Sequence, residues 1–320
     1  MIRFVIKRII LIIPIVICVS FIVYALVDLA PGNIVDVMIN SEMTQEEIDY
    51  LRASFDLDKP MIYRYVKYMI NLVQGDLGVS MITKTSVWET YMYRLPNTLK
   101  LSLSSLLIGV ITGLPLGIFA ANRSGRLSDN ATTVFAVLGI SIPGFWLALL
   151  LLQLFSLRLG LLPAGGMNNG IRSLILPAIT GGLGLMASTT RQTRSSVLDV
   201  LKSDYLRTAR AKGVPENVVI RKHALGNALI PIVTVVGNSL AYVIAGSVIT
   251  EQVYAWPGVG RLAVEALGAR DVTTVLGTII LTTFFYVFIL IIVDIAYAFV
   301  DPRIKARYTT VKKRKRKLAA

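Results

Sequence analysis

Apolar runs long enough to cross a lipid bilayer constrain the fold of this chain more than any other feature. A transmembrane helix needs about 20 consecutive apolar residues to cross a hydrocarbon core of ~30 Å. The first run exceeds the apolar core of a signal peptide, about 7 to 15 residues, and therefore predicts an uncleaved span. The predicted spans are, approximately, residues 9–29, 98–121, 131–155, 173–190, 231–249 and 273–299.

The composition agrees with a membrane protein. Apolar residues make up 54% of the chain and charged residues only 16%, whereas soluble domains carry roughly 25% charged residues. The net charge of +14 does not indicate nucleic-acid binding, because no basic face interleaved with stacking aromatic residues is present. Cys18 is the only cysteine in the sequence, which excludes an intramolecular disulfide and a cysteine-based metal cluster.

The positions of the basic residues predict the topology. Cytoplasmic loops of membrane proteins carry an excess of Lys and Arg. In this chain basic residues precede the first span, occur in the loops 122–129 and 191–230, and form a cluster at 312–317. We therefore expect six transmembrane helices with both termini in the cytoplasm, and a basic tail that contacts anionic lipid headgroups.

The spans and loops divide the chain into four segments. The predicted segments are an N-terminal segment with the first transmembrane helix (1–30), an extracytoplasmic helical insert (31–95), a transmembrane core (96–300) that includes the loop 191–230, and a basic cytoplasmic tail (301–320).

Two helices are predicted in the insert. Thr44 and Glu47 form a capping-box pattern, which predicts a helix over 45–55. A second helix begins near Pro60 and carries an apolar face. The residues of that face are Met61, Tyr65, Tyr68, Met69 and Leu72. The pattern fits equally well a lid over a pore, a docking surface for a partner, and a cap that only stabilises the fold.

Glycine and proline mark packing surfaces within the spans. Gly109, Gly113 and Gly117 recur every four residues, which predicts close packing against another helix. The third span is broken at 141–144 by a proline-glycine pair. Broken spans often line cavities, because the freed backbone groups need protein or water partners. For a single proline, an ordinary kink is the favoured explanation.

Catalytic patterns are not found in the sequence. It contains neither a Gly-x-x-x-x-Gly-Lys-Ser/Thr phosphate loop nor a His-Glu-x-x-His zinc motif. His223 is the only histidine and lies in a basic segment, which favours a helix surface over a metal site. Asp28 and Asp294 lie toward opposite membrane surfaces and cannot form the converging pair of an aspartyl protease. We therefore expect no catalytic residue, no metal site and no nucleotide bound by this chain.

A polar, basic island occupies residues 205–231, between the fourth and fifth predicted spans. Gly213 can end a helix, and Pro215 can occupy the first turn of the next one, so the island predicts a compact helix-turn-helix. Apolar residues lie among its cations, which is the pattern of an amphipathic loop. These apolar residues are Leu206, Ala209, Val218, Val219 and Leu225.

Segments along nearly the whole chain carry a family resemblance. Residues 204–213 read DYLRTARAKG and residues 223–231 read HALGNALIP. Shorter matches occur at 31–32, 57–60, 75–78, 95–98, 141–143, 160–163, 256–262 and 301–302. Together these segments resemble the permease subunits of ATP-binding-cassette importers, specifically the branch that transports dipeptides, oligopeptides or nickel.

The resemblance implies a fold and a function. The fold is the type I importer fold, an all-α polytopic membrane protein of six transmembrane helices. It has a helical extracytoplasmic insert between helices 1 and 2 and a cytoplasmic coupling loop between helices 4 and 5. The function is that of a permease subunit in the bacterial inner membrane, which forms a pathway for peptides by alternating access.

The resemblance also implies partners. They are a second homologous permease, two ATPase subunits that bind ATP and Mg²⁺, and an extracytoplasmic solute-binding protein, with no cofactor on this chain. A nickel-chelate or glutathione importer is the alternative within the family. A self-contained secondary carrier is the alternative outside it, but the sequence shows neither the internal repeats nor the buried ion-binding acids that a carrier predicts.

Candidate site residues follow from the resemblance. In the family the coupling helix sits in a groove of the ATPase, which implies that the apolar side of the island is buried in that partner. The coupling residues would be Tyr205, Leu206, Arg207, Thr208, Ala209, Arg210, Ala211, Lys212, Gly213 and, farther along, His223. Docking of the binding protein would involve Trp256, Pro257, Gly258, Gly260 and Arg261. Asn238 and Tyr242 lie on one face of the fifth span and are candidates for the translocation path, although helix packing is the favoured explanation of this pair. The general importer pattern has Glu-Ala-Ala where this chain has Arg207-Thr208-Ala209, so no salt bridge can be assigned to that glutamate.

Overall fold

The computed structural model of the protein describes residues 2–30, 33, 35–36, 39, 43–220, 226, 228–229, 231–233, 235–237, 239 and 247–300. Every regular element in these ranges is helical, and Val79 and Ser86 form an isolated antiparallel bridge. The chain divides into two compact units. The first comprises residues 3–98 and 257–285, and the second comprises residues 1–2, 99–256 and 286–320.

The helices are numbered in chain order. They are α1 (Ile2–Leu29), α2 (Gln45–Ser54), α3 (Met61–Val73), α4 (Val87–Asn122), α5 (Leu127–Ser141), α6 (Gly144–Leu151), α7 (Ile171–Leu201), α8 (Asp204–Ala211), α9 (Glu216–Val218), α10 (Val248–Val253), α11 (Val259–Gly268) and α12 (Val272–Val300). A π-helical segment, Leu152–Arg158, continues α6.

Long apolar helices occupy four of the predicted spans. Helices α1, α4, α7 and α12 are each long and apolar enough to cross a membrane. A fifth candidate is the bent pair formed by α5 and α6 with its π-helical continuation, whose halves meet at 97°. The predicted break at 141–144 is confirmed. The predicted fifth span, 231–249, lies largely outside the described residues, and the tail 301–320 lies entirely outside them.

Two of these helices are longer than their apolar runs. Helix α4 begins at Val87 instead of near residue 98, so Pro96 lies inside the helix. Val87 and Tyr91 are buried, and the Tyr91 ring stacks on Phe285 at a centroid distance of 5.9 Å. Helix α7 continues beyond residue 190 to Leu201 because its last turns pack against other apolar residues. Tertiary packing therefore extends both helices beyond what hydropathy predicts.

The first unit contains the insert helices, which form where they are predicted. Helix α2 begins after the expected capping box: the Thr44 amide donates to Glu47 Oε2 at 2.8 Å, and the Glu47 amide donates to Thr44 Oγ1 at 3.4 Å. Helix α3 buries its predicted face, since Tyr65 packs with Tyr24 and Leu276. Met61, Tyr68 and Met69 pack against the same cluster.

In the second unit, glycines bring α4 and α7 into backbone contact. A Cβ added at Gly113 would lie 2.7 Å from the carbonyl oxygen of Met186, and one added at Gly109 would lie 2.6 Å from Cβ of Leu185. Gly117 faces the same helix. The predicted small-residue packing surface is therefore confirmed, and its partner is α7.

Candidate functional site

Residues 203–220 fold into a short helix-turn-helix, which we call the helical knob. Helix α8 ends at Ala211, and Gly213 adopts a φ of +74°, a left-handed conformation that favours glycine. The Gly213 amide donates to the carbonyl oxygen of Arg210 at 2.9 Å, which closes the end of α8. Pro215 immediately precedes α9. The turn predicted at Gly213 and Pro215 is thus confirmed, and residues 221–225, 227 and 230 of the predicted second helical run lie outside the described residues.

The helical knob has an apolar core of its own. Leu206 and Val219 are fully buried. The residues packed against them are Val200, Leu201, Ala209 and Val214. The expectation that Leu206 and Val219 are covered by a partner is therefore corrected, because these side chains are already covered within the chain.

An ion pair joins the two helices of the knob. Nε and one terminal nitrogen of Arg210 donate to the two carboxylate oxygens of Glu216 at 3.0 and 2.8 Å. These hydrogen bonds hold the pKa of Glu216 below its ordinary value. Because both side chains are largely solvent-exposed, the pair fixes the geometry of the turn more than it stabilises the fold.

The exposed surface of the helical knob consists of other predicted residues. Tyr205 is 44% exposed and Val218 is 39% exposed. The hydrophilic and small residues exposed beside them are Arg207, Thr208, Arg210, Ala211, Lys212 and Gly213. The knob therefore exposes two apolar side chains, Tyr205 and Val218, on a surface rich in cations. His223 lies outside the described residues. Its role in coupling stays a prediction.

The predicted docking segment is largely buried. The Trp256 indole packs against α4 and α7 in the second unit. In the first unit Gly258 and Gly260 are buried, and Arg261 Nε lies 2.7 Å from Glu265 Oε1 in an ion pair. Most of this segment therefore contributes to packing, and docking of a binding protein on it stays a prediction.

A cavity of about 700 Å³ lies in the second unit. Helices α4, α5, α6 and α7 contribute to its wall, and Ile142 and Gly144 border it at the break of the third span. The break of the third span thus borders a cavity, although the sequence alone favours an ordinary kink. Six hydroxyl side chains also line it: Ser105, Thr180, Ser188, Ser239, Ser247 and Thr250.

The cavity lining is suited to a small polar solute. Its size is within the roughly 300 to 1,000 Å³ of typical ligand pockets. Arg191 is the charged residue among the described lining residues and could bind a carboxylate. The Ser105 hydroxyl is buried without a hydrogen-bond partner in the described part of the chain. Asn238 and Tyr242, the predicted path residues, lie outside the described residues, although their neighbour Ser239 lines the cavity.

Tyr254 connects three helices beside the cavity. Its hydroxyl donates to the carbonyl oxygen of Ala148 in α6 at 3.1 Å and lies 3.0 Å from the Thr180 hydroxyl in α7. Burial raises the pKa of Tyr254, so the hydroxyl stays protonated and can donate. Sequence reasoning missed this residue, since its partners are distant in the chain.

A buried ion pair connects α5 to the last third of α7. Asp129 is 1% exposed, and Nε and a terminal nitrogen of Arg194 donate to its two carboxylate oxygens at 2.5 and 2.8 Å. The Gly125 amide donates to the same carboxylate at 3.0 Å. The sequence identifies Arg194 only as one of the cations that precede the island, because the pattern of charges does not show which acid it contacts.

The membrane-length helices, with a bent pair of helices beside a hydroxyl-lined cavity, indicate a multi-pass membrane protein. Comparison with known proteins identifies the family. The chain belongs to the binding-protein-dependent transport system inner membrane component family, whose model matches residues 113–306. A second model, for the N-terminal part of such membrane components, matches residues 1–102.

Relatives match along nearly the full chain. The chain is 38% identical over 315 residues to the oligopeptide transport system permease protein AppB of Bacillus subtilis (strain 168), covering 95% of this chain and 100% of the relative. It is 39% identical over 305 residues to the glutathione transport system permease protein GsiC of Escherichia coli (strain K12), covering 95% of this chain and 99% of the relative.

Solved structures share the fold. An inward-facing structure of the MetNI methionine ABC transporter aligns with a TM-score of 0.57 and 18% identity, over 67% of this chain and 97% of that chain. The crystal structure of an amino acid ABC transporter with histidines aligns with a TM-score of 0.54 and 16% identity, over 65% of this chain and 93% of that chain. The chain therefore has the fold of an ABC importer permease.

Proposed function

We propose that the chain is the permease subunit of an ATP-driven peptide importer in a bacterial inner membrane. The observation that carries this proposal is the nearly full-length similarity to permeases named for oligopeptide and glutathione transport. Glutathione is itself a small peptide, so both names describe cargo with a free carboxylate.

The proposal includes partners. A second homologous permease would complete the pathway, two ATPase subunits would bind ATP and Mg²⁺, and an extracytoplasmic binding protein would deliver cargo. We propose six spans with both termini in the cytoplasm, where the helical knob can contact an ATPase. The exposed Tyr205 and Val218 support that contact, since a partner's groove can bury apolar side chains while the cations around them set the orientation.

Vesicle uptake tests the proposal. The chain would be co-expressed with the permease, ATPase and binding-protein genes that adjoin its own, and the complex reconstituted into liposomes. We expect accumulation of a radiolabelled peptide that requires both ATP and the binding protein. Accumulation driven by an ion gradient without ATP would contradict the proposal and indicate a secondary carrier.

Glutathione is a second candidate cargo, favoured by the similarity to GsiC. The same vesicles distinguish the cargoes by competition, with unlabelled dipeptide, longer peptide and glutathione added in turn. The cargo that displaces the label at the lowest concentration is the preferred one.

The cavity supports a position for the pathway, and a substitution tests it. Gly184 lines the cavity, and a Cβ added there meets no atom within 4 Å. We expect Gly184→Phe to fill the cavity and lower peptide uptake by roughly tenfold or more, while the complex still assembles. Gly268→Phe is the matched control, because Gly268 in the other unit also has open space. Normal uptake by Gly184→Phe would exclude this cavity from the path.

A further inference from the structure

Helix α3 of the insert packs against the membrane-spanning part of α1. The Tyr65 hydroxyl donates to the carbonyl oxygen of Ile17 at 3.0 Å and lies 3.0 Å from Ser20 Oγ. The Tyr65 ring meets the rings of Phe21 and Tyr24 edge-on, at centroid distances of 5.3 and 5.6 Å. These partners lie well inside α1 and not at its end.

The level of this contact follows from helix geometry. The apolar part of α1, Ile10–Leu29, has 20 residues, which at 1.5 Å per residue matches a hydrocarbon core of ~30 Å. Leu29 therefore lies near one membrane boundary. Phe21 and Tyr24 lie about 8 to 12 Å below Leu29 along the helix axis. Helix α3 thus lies beside α1 below that boundary.

A second face of α3, next to the one that packs on α1, is apolar and uncovered in the described part of the chain. Its side chains recur at helical spacing and are between 47% and 86% exposed. They are Ile62, Val66, Ile70 and Val73. On α1, Ile22 and Leu26 expose apolar side chains at the level of the α3 contact. These two residues lie on the side of α1 that faces away from α3. Acyl chains that surround α1 at this level would also reach the exposed face of α3.

The charges of α3 are consistent with this position. Arg64 is ion-paired with Asp28 at 2.7 Å, next to the boundary residue Leu29, and Lys67 is ion-paired with Asp56 at 2.5 Å. Pairing with acids at the boundary lets both cations extend toward the headgroups while the backbone lies deeper. Interfacial helices combine such a charged side with an apolar face buried about 5 to 10 Å.

We propose that α3 is an interfacial helix whose Ile62, Val66, Ile70 and Val73 face insert into the acyl chains of the leaflet at the C-terminal end of α1. The insert would then be anchored in the membrane. This arrangement differs from the three alternatives in which the insert lies above the bilayer as a lid, a docking surface or a cap. This inference rests on the membrane-spanning character of α1 and holds whatever cargo the complex transports.

Fluorescence quenching in lipid nanodiscs tests the proposal. In the assembled complex with Cys18→Ala, single cysteines are introduced as Val66→Cys and Ile70→Cys and labelled with an environment-sensitive fluorophore. The nanodiscs contain phosphatidylethanolamine and phosphatidylglycerol, with or without lipids that carry a doxyl quencher near the head of the acyl chain. Leu26→Cys on α1 is the lipid-facing control, and Glu46→Cys on α2 is the water-facing control.

We expect the labels at Val66 and Ile70 to behave like the label at Leu26. Quenching by doxyl lipid should be at least about threefold stronger than at Glu46, and quenching by iodide in the buffer correspondingly weaker. Labels quenched by iodide as strongly as at Glu46 would overturn the proposal. Labels shielded from both quenchers would also overturn it and indicate a protein partner on this face.

Discussion

At the residue scale, the Asp129–Arg194 pair stabilises the contact between α5 and α7. The carboxylate is buried and accepts both Arg194 bonds and the Gly125 amide, while the Arg194 side chain remains 30% exposed. Removing one partner of a buried ion pair leaves the other charge buried without compensation. The stability lost in this way is larger than the stability that the intact pair adds compared with two apolar residues at the same positions.

Asp129→Asn should therefore destabilise the complex. Breaking a fully buried pair costs ~3 to 5 kcal/mol, and we expect about 2 kcal/mol because Arg194 is partly exposed to water. Thermal unfolding of the detergent-solubilised complex measures this loss. Asp204→Asn is the control, since Asp204 is 98% exposed and only 3.9 Å from Arg207. Equal melting temperatures for the two variants would show that the buried pair is not needed.

At the element scale, the contact between α4 and α7 requires glycine on α4. A Cβ at Gly113 would clash with the backbone oxygen of Met186, which cannot move without shifting α7. At Gly184, on α7 itself, the same Cβ meets open space. The two positions therefore separate the effect of close packing from that of helix propensity.

Gly113→Ala and Gly184→Ala should act in opposite directions. Alanine favours a helix over glycine by about 0.5 to 1 kcal/mol, so Gly184→Ala should leave the melting temperature unchanged or raise it. Gly113→Ala should lower it by several degrees and reduce the yield of assembled complex. A neutral or stabilising Gly113→Ala would mean that α4 and α7 are not in backbone contact.

Local patterns predicted most elements, and long-range packing decided the rest. The capping box at Thr44, the break at 141–144 and the glycine face of α4 depend on neighbours in sequence, and all three are confirmed. The start of α4 at Val87 depends on the distant Phe285, to which no periodicity points.

The candidate site was predicted less completely than the fold, for the same reason. The turn of the helical knob is coded locally by Gly213 and Pro215. Whether Leu206 contacts the chain itself or a partner depends on how the knob packs against Val200 and Leu201, which hydropathy alone does not show. Arg191 and Ser105 line the cavity because three-dimensional packing brings together helices that are far apart in sequence.

At the scale of the whole molecule, the proposed topology assigns each loop to one side of the membrane. Helix α7 crosses once, so the segment before Ile171 and the helical knob after Leu201 must lie on opposite sides. The loop after α4 carries Arg123 and Arg126 and should share the side of the knob.

Thiol labelling in cells and in inverted vesicles tests this arrangement. With Cys18→Ala as background, Ser124→Cys and Ala211→Cys should react with an impermeant maleimide only in inverted vesicles, and Asn168→Cys only in intact cells with a permeabilised outer envelope. All three positions are exposed. Labelling of Asn168→Cys and Ala211→Cys from the same side would contradict a single crossing by α7.

The central claim is that ATP hydrolysis by partner subunits drives transport through the helical knob. Val218 is the residue to substitute, because its side chain is exposed. Leu206 and Ala209 belong to the core of the helical knob, so their substitution would damage the knob itself. Tyr50→Asp on α2 is the control, since Tyr50 is also exposed but lies in the insert.

The decisive measurement is ATP-driven peptide uptake, with ATP hydrolysis followed in the same proteoliposomes, for Val218→Asp and Tyr50→Asp. We expect at least about a tenfold loss of uptake for Val218→Asp, which corresponds to roughly 1.4 kcal/mol of lost coupling, with unchanged folding of the permease. Tyr50→Asp should transport normally. Wild-type uptake and hydrolysis by Val218→Asp would contradict a coupling role for the helical knob.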